Sequence, residues 1–287
     1  MAPPITLRRL WADTTERVGR RHEARWLCEV AVGLDGDEFD RALDDGVTER
    51  MVAHLDALLA RYATGEPLQY VLGRWGFRRL DLAIDPRVLI PRPETELVAG
   101  VAIDLAGRVP SPRAVADLGT GSGAIGLSVA DELPLDGTTV WITDADGDAL
   151  DVARANLAGL GRAATNVRVG KGDWFDALPP DQRFDVIVSN PPYVAAQSTE
   201  LDEGVRAWEP ARALFAGDDG LDSIRTLVSQ APRHLAADGW LVLEIGADQA
   251  ERVRELLSSH GYRDVEIRRD LAGRDRIALG RAPTVAH

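Results

Sequence analysis

Hydrophobic positions along the chain follow two different spacings. Between about residues 6 and 63, apolar residues recur every three or four positions, which is typical of amphipathic helices. The segment GLDGDEFD (33–40) is rich in glycine and aspartate, and we predict a turn between two of these helices there. The pattern predicts a small helical domain over residues 1–70.

The spacing then shortens. Alternating apolar residues between Phe77 and Ile84 suggest a hairpin that leads into a proline-stiffened link, together covering residues 71–90. Over residues 91–287 apolar runs alternate with helical patterns, and the runs are RAVADLG, TTVWITD, VRVGKGD, FDVIVSN and WLVLEIG. This rhythm predicts an α/β fold with a doubly wound, mostly parallel sheet and helices on both faces.

The end of the chain departs from this rhythm. DVEIRRD and DRIALGR are separated only by LAGR, which is too short for a parallel crossover. We therefore expect a seven-stranded sheet whose last strand runs antiparallel to its neighbour.

Composition narrows the class of protein. The 287 residues are 45% hydrophobic, which suffices for a sizeable core, and no run reaches the roughly 18 to 20 apolar residues of a membrane span. The first residues also lack the apolar run of a signal peptide, so we expect a cytoplasmic protein without a membrane partner.

Charge argues against nucleic acid as a stable partner. The net charge is -13, with 12 basic and 13 acidic residues in positions 1–80 and 21 basic and 33 acidic residues in the rest. Tight binding to a phosphate backbone needs a concentrated basic face, which this distribution does not predict.

Cysteine and histidine provide no metal-binding pattern. Cys28 is the single cysteine and lies at helical spacing with apolar neighbours, so we interpret it as a packed core thiol. The five histidines never fall at the spacing of metal ligands, and we expect catalysis without a metal.

A glycine-rich segment follows the first run of the predicted sheet. Residues 121–126 (GSGAIG) satisfy GxGxxG, and Asp144 ends the next run, so either a dinucleotide or S-adenosylmethionine is a candidate ligand. Asp117 lies directly before the glycines, where it would repel a pyrophosphate but attract the ammonium and sulfonium of S-adenosylmethionine. Asp144 can accept ribose hydroxyls in both cases.

The FDVIVSN run continues into Asn190-Pro191-Pro192-Tyr193. A residue before proline is held extended and proline has no N–H, so this segment offers rigid acceptors at the carboxyl end of a strand. The Asn190 side-chain oxygen and the Pro191 carbonyl could both accept hydrogen bonds from one NH2 group. Tyr193 would supply a flat apolar wall.

The Asn-Pro-Pro-Tyr segment resembles the signature of methyltransferases that act on planar NH2 groups. Further segments narrow the resemblance to the HemK/PrmC family, peptide chain release factor glutamine N5-methyltransferases, over about residues 65–280. These segments are GEPLQYVLGRWGF (65–77), VLIPRPETELV (88–98), WEPARALFAGDDGLD (208–222) and DLAGRDRIAL (270–279).

The resemblance implies a Rossmann-like class I methyltransferase fold that uses S-adenosylmethionine. It also implies that the partner is the Gly-Gly-Gln loop of a class 1 release factor, and we expect residues 1–70 to recognise that protein. The positions that match the family's cofactor contacts are Asp117, Leu118, Gly119, Thr120, Gly121, Asp144, Trp174 and Asn190. Those that match the substrate contacts are Asn190, Pro191, Pro192 and Tyr193, with Asn190, Pro191 and Tyr193 as the catalytic set.

Two other functions stay open. Methylation of a nucleobase amino group would use the same acceptor segment, but it is opposed by the net charge of -13 and by the lack of a basic target-recognition region. A non-catalytic cofactor-binding or scaffold protein is opposed by the intact glycine segment and the acceptor segment.

Overall fold

A computed structural model describes residues 5–199 and 201–283 of the chain. The chain divides into two compact units, Met1–Arg74 and Trp75–His287. Within the residues described, no helix is both long and apolar enough to cross a bilayer.

The first unit is built from helices. Thr6 caps the first of them by accepting a hydrogen bond from the Arg9 N–H, and Gly19 ends it in the left-handed conformation. Cys28 is fully buried in the core of this unit and burial raises its pKa to about 11, which confirms the prediction of a packed thiol. The helices are α1 (Leu7–Val18), α2 (Arg21–Val32), α3 (Gly36–Arg41), α4 (Glu49–Tyr62) and α5 (Leu68–Leu72).

The prediction of a turn over residues 33–40 is wrong in part. The chain does turn at Gly33, but residues 36–41 form the short helix α3. Phe39 is fully buried and packs edge-on against Trp11 at 5.9 Å between ring centroids. Packing of one aromatic residue therefore outweighs the turn preference of its glycine and aspartate neighbours.

A two-stranded sheet, β1 (Arg74–Phe77) and β2 (Leu80–Ala83), follows the helices, as the alternating pattern predicts. Within the second unit, the Ala83 N–H donates to Asn156 Oδ1 at 2.7 Å and the Arg78 guanidinium pairs with Glu132. Residues from Trp75 onwards are thus part of the packing of the second unit.

The second unit is a seven-stranded sheet with helices. Its strands are β3 (Arg113–Leu118), β4 (Thr138–Asp144), β5 (Val167–Lys171), β6 (Phe184–Ser189), β7 (Leu235–Glu244), β8 (Arg263–Arg269) and β9 (Asp275–Arg281). Its helices are α6 (Pro93–Gly107), α7 (Ala124–Glu132), α8 (Gly147–Gly159), α9 (Glu203–Trp208), α10 (Asp222–Gln230) and α11 (Ala250–Ser259).

The strand order is β5-β4-β3-β6-β7-β9-β8. Strands β3 to β7 pair in parallel, and β9 runs antiparallel to both β7 and β8. This confirms the predicted mostly parallel, seven-stranded sheet with an antiparallel last strand. Strands β3 and β6 are buried along almost their whole length, as expected for parallel strands covered on both faces.

The parallel strands place their carboxyl ends along one edge of the sheet. Asp144 and Glu244 are the last residues of β4 and β7, and Asn190 directly follows β6. Ligands of doubly wound sheets bind at this edge, next to the point where the strand order reverses. In this sheet that point is at β3, which has β4 on one side and β6 on the other.

Candidate active site

The turn between β3 and α7 consists largely of glycine. Gly119, Gly121 and Gly123 have φ angles of 69°, 56° and 88°, a region that a residue with a Cβ adopts only at a cost. The Thr120 N–H donates to the Thr143 carbonyl at 2.8 Å, which ties the turn to β4. The backbone can therefore approach a ligand closely at this point.

Asp117 lies beneath the turn. Its side chain is buried, and Oδ2 accepts hydrogen bonds from Thr120 Oγ1 at 2.5 Å and from the Gly126 N–H at 2.8 Å. Its Oδ1 is also buried and has no hydrogen-bond partner among the described residues. Burial raises the pKa of this carboxyl to about 6 despite these bonds. The carboxylate thus fixes the shape of the turn from below.

This raised pKa makes stability depend on pH. The folded state binds the Asp117 proton more tightly than the unfolded chain, so the stabilisation is complete below about pH 4 and is lost as the pH rises through about 6. We expect the Asp117→Asn variant to lack this slope. Its free energy of unfolding relative to the unsubstituted protein should rise by on the order of 3 kcal/mol between pH 4 and 7. Urea titrations across this range measure the difference, and a constant difference would contradict the assignment.

Asp144 projects its carboxylate between two backbone groups. Oδ2 accepts from the Gly121 N–H at 3.0 Å and Oδ1 from the Asp146 N–H at 2.9 Å. Burial is the main cause of its raised pKa. The side chain is partly exposed to the cavity in front of the glycine turn, where it can accept hydrogen bonds from a ligand.

Trp174 faces the glycine turn from the segment after β5. It starts a short 3-10 helix, Trp174–Ala177, with a φ of 44°, which costs about 1 kcal/mol for a residue other than glycine. A Cβ added to Gly119 would lie 3.4 Å from Trp174 Cζ3, so the glycine leaves room for the indole ring. A strained backbone that presents an aromatic ring to a cavity is typical of a binding site.

These groups surround a cavity of about 470 Å³. Among the predicted residues it is lined by Gly119, Thr120, Gly121, Asp144, Trp174, Asn190 and Pro192. Asp117 and Leu118 are buried behind the turn and are not among the described lining residues. A cavity of this size is within the range of small-molecule sites.

A second cavity, of about 290 Å³, shares Asn190, Leu89 and Ala213 with the first. Asn190 lines both cavities and Tyr193 lines only the second, within the part of the chain that the structure covers. Pro191 is buried and lines neither cavity in the described set. The Asn-Pro-Pro-Tyr segment therefore contributes residues to both cavities, and we call it the wall.

Hydrogen bonds to buried polar groups hold Asn190 and Tyr193 of this wall in place. The Asn190 Nδ2 group donates to Thr95 Oγ1 at 3.2 Å, and the Thr95 hydroxyl donates to Glu244 Oε2 at 2.7 Å. The Tyr193 hydroxyl donates to Glu244 Oε1 at 3.2 Å. Burial raises the pKa of Glu244 to about 7 and raises the pKa of Tyr193 as well.

Residues 208–222 pin the wall along its backbone. The Val194 N–H donates to the Leu214 carbonyl and the Ala216 N–H donates to the Val194 carbonyl, both at 2.9 Å. Gln249 adds a bond from Nε2 to the Tyr193 carbonyl at 2.9 Å. Gly220 has a φ of 75°, and a Cβ there would collide with the Tyr193 carbonyl.

Glu209 joins this segment to residues 88–92. Its buried carboxylate pairs with the Arg92 guanidinium and accepts from the Ile90 N–H at 3.2 Å. Residues 88–92 lead directly into α6, which begins at Pro93 with Glu94 in its first turn, an arrangement typical of a helix start.

Sequence reasoning did not identify Thr95, Glu209, Glu244 or Gln249 as members of the site. Glu244 carried a usable signal, because a single acid ends the apolar run WLVLE at the edge where Asp144 and Asn190 lie. Thr95 carried a weaker one, since it lies in the family-like segment VLIPRPETELV (88–98) but is locally part of an ordinary helix start.

Comparison with known proteins agrees with this arrangement. Residues 15–73 match the PrmC N-terminal domain family and residues 104–216 match the methyltransferase small domain family. The chain is 44% identical to the release factor glutamine methyltransferase of Burkholderia pseudomallei over 91% of this chain and 92% of that protein. It is 41% identical to the protein of the same name from Xylella fastidiosa over 99% of both.

Among solved structures, a methyltransferase from Pyrococcus furiosus has the same fold, with a TM-score of 0.53 and 19% identity over 80% of this chain and 100% of that one. Identity above 40% over nearly the whole length of both chains decides the family. This chain belongs to the release factor glutamine methyltransferase family.

Proposed function

We propose that this protein transfers a methyl group from S-adenosylmethionine to the side-chain amide nitrogen of a glutamine in a class 1 release factor. The observation that carries the proposal is the position of Asn190, a hydrogen-bonding amide in the wall shared by two cavities. The larger cavity would hold the cofactor and the smaller one the glutamine. The relatives that are 44% and 41% identical are release factor glutamine methyltransferases by name, which supports this substrate.

The first cavity suits S-adenosylmethionine in its chemistry. Gly119 and Gly121 leave space where a Cβ would stand, Asp144 offers acceptors for ribose hydroxyls, and Trp174 offers a flat ring for the adenine. We expect calorimetry to detect binding of S-adenosylmethionine and S-adenosylhomocysteine but not of NAD. Saturable binding of NAD at micromolar concentrations would contradict the assignment.

The residues of the wall act on a weak nucleophile. An amide nitrogen shares its lone pair with its carbonyl, whereas the bound sulfonium supplies an electrophilic methyl group. Asn190 Oδ1 would accept one hydrogen of the substrate NH2 group and direct its nitrogen towards the first cavity, whereas Pro191, predicted from the sequence as the second acceptor, lines neither cavity in the described set. An acceptor on this NH2 group also favours the positive charge that develops on nitrogen, which then loses one N–H proton to solvent, so catalysis rests on positioning and electrostatics.

Labelling tests the reaction. The protein is incubated with labelled S-adenosylmethionine and a purified class 1 release factor, and mass spectrometry locates the label. We expect one methyl group on the glutamine of the Gly-Gly-Gln loop and none when that glutamine is replaced. Cellular RNA serves as the second substrate, and label on its amino groups alone would favour the nucleobase alternative.

Substrate choice requires more contact than the loop offers. A stable protein interface usually buries more than about 1,000 Å², which a few residues around one glutamine do not supply. The helical unit Met1–Arg74 carries 10 basic and 13 acidic residues and the remainder 23 basic and 33 acidic ones, so the net charge of the helical unit repels an acidic protein less than that of the remainder does. We propose that this unit binds the body of the folded release factor.

Removing residues 1–74 tests this second contact. The shortened chain begins at Trp75, because Phe77 and Leu82 are buried and residues from Trp75 onwards pack in the second unit. We expect the KM for intact release factor to rise at least about tenfold, equivalent to ~1.4 kcal/mol, with little change for a short Gly-Gly-Gln peptide. Circular dichroism checks the fold. Equal losses on both substrates would mean that the helical unit supports the active site instead.

A further inference from the structure

We infer that Thr95 and Glu244 are positioning residues that fix which way the Asn190 amide points. The inference rests on the proposed function and extends it to Thr95, which lines the first cavity beside Asn190, and to the buried Glu244. The contacts that carry it are the bond from Asn190 Nδ2 to Thr95 Oγ1 at 3.2 Å and the bond from Thr95 Oγ1 to Glu244 Oε2 at 2.7 Å.

A side-chain amide can point either way, because its oxygen and its NH2 group have nearly the same shape. A neighbouring donor or acceptor must therefore select the orientation. The hydroxyl of Thr95 has one hydrogen, and the ionised Glu244 carboxylate can only accept. The hydrogen of Thr95 is thus committed to Glu244, and its lone pairs face Asn190.

The direction of the hydrogen bond from Thr95 to Glu244 decides which atom of the Asn190 amide can face the substrate. Asn190 must turn its NH2 group towards Thr95, which leaves Oδ1 on the side away from Thr95. Because Asn190 lines both cavities, that oxygen is available as an acceptor for the substrate NH2 group. If the amide were reversed, the hydrogens of the Asn190 NH2 group would face those of the substrate NH2 group. The acceptor that the reaction needs would then be lost.

Glu244 is held in the position from which it accepts the hydrogen bond of Thr95. It ends β7, is 1% exposed, and receives a second hydrogen bond from the Tyr193 hydroxyl at 3.2 Å. The positive charge of Arg276 on β9 favours its ionised form, while the negative charge of Glu94 on α6 opposes it. Burying a carboxylate costs free energy that apolar residues packed at the same place would not cost. This argues that Glu244 serves to orient the Thr95 hydroxyl.

Thr95 is held in place by the first turn of α6. It is the third residue of α6 and its backbone N–H donates to the Arg92 carbonyl at 3.1 Å. Its side chain is 4% exposed. Next to Asn190, two segments that are far apart in the chain thus meet: residues 92–96 and the end of β7.

The test replaces Thr95 with valine, which keeps the shape of the side chain and removes the hydroxyl. We expect kcat for methylation of intact release factor to fall at least about tenfold, because the amide loses its fixed orientation. The KM for S-adenosylmethionine should change less than kcat. Assays are run above about pH 8, where Glu244, with its pKa of about 7, is ionised.

A double-mutant cycle with Asn190→Ala separates positioning from general damage. If Thr95 acts through Asn190, Thr95→Val should cost little in a protein that already lacks the Asn190 amide. Thr95→Ser should restore most of the activity because it restores the hydroxyl. Thr226→Val is the matched control, since Thr226 is half-buried on α10, bonds through its hydroxyl only to the Asp222 carbonyl of its own helix, and lies outside both cavities in the described set.

Glu244→Gln supplies a second, independent route to the same cycle if the valine variant does not fold. Its amide can donate to Thr95 and free the Thr95 hydrogen for Asn190, so kcat should again fall about tenfold or more. Additive losses in both cycles, or a Thr95→Val kcat within about twofold of the unsubstituted enzyme, would overturn the inference. Absence of glutamine methylation by the unsubstituted protein would instead refute the proposed function.

Discussion

The Asn190→Ala variant is expected to methylate release factor roughly 10²- to 10³-fold more slowly than the unsubstituted protein. This is the usual scale for removing one preorganised polar partner from the reacting group. The affinity for S-adenosylhomocysteine should fall much less, because Asn190 is one of many lining residues of the first cavity. Single-turnover rates and calorimetry measure the two quantities separately.

Asn166→Ala is a suitable control for this variant. The Asn166 side chain donates to the Leu135 carbonyl at 2.6 Å, and Asn166 is not among the described residues that line either cavity. Its kcat should match that of the unsubstituted protein. An Asn190→Ala enzyme that keeps near-normal kcat would refute the catalytic role of that side chain.

Gly126→Ala is expected to destabilise the fold by about 2 kcal/mol, although alanine is the better helix former by about 1 kcal/mol. Gly126 lies in α7, and an added Cβ would be far inside van der Waals distance of the fully buried Ile142 and 3.0 Å from Asp117 Oδ2. The same displacement would disturb the hydrogen bond from the Gly126 N–H to Asp117. The affinity for S-adenosylmethionine should therefore fall together with stability.

Gly159→Ala is the matched control in another helix. Gly159 is the last residue of α8, and apart from its chain neighbours and the backbone of its own helix no described heavy atom lies within 4 Å of the position that its Cβ would take. Helix propensity predicts that this variant gains up to about 1 kcal/mol. Urea denaturation of both variants would show opposite signs, and a gain in stability for Gly126→Ala would contradict the close contact with Ile142.

The fold was predictable because each part of the pattern is local. Five apolar runs and the short LAGR link are enough to predict parallel strands and an antiparallel last strand. The exceptions arise where distant residues decide. The helix at residues 36–41 depends on the burial of Phe39 against Trp11, and residues 33–40 alone do not reveal that contact.

The candidate site was predictable where backbone chemistry dictates it. Glycines at positive φ and an asparagine before proline have few other uses, so the turn and the wall stand out in the sequence. The direction in which a side chain points, by contrast, cannot be predicted from the sequence pattern. The glycine pattern indicates a role for Asp117 at the turn, but it does not show that Oδ2 bonds to Thr120 and Gly126 behind the turn. The proposed Thr95 and Glu244 pair joins positions 149 residues apart.

The place of β9 in the sheet has a consequence for synthesis on the ribosome. Strand β9 lies between β7 and β8, so β7 keeps an unpaired edge and β8 has no partner in this sheet until Arg281 has left the ribosome. At about 5 to 20 residues per second, the chain from Trp75 to Arg281 takes roughly 10 to 40 s to make. During that time the nascent sheet exposes an edge that can pair with other chains, and a chaperone that covers it would protect this unit.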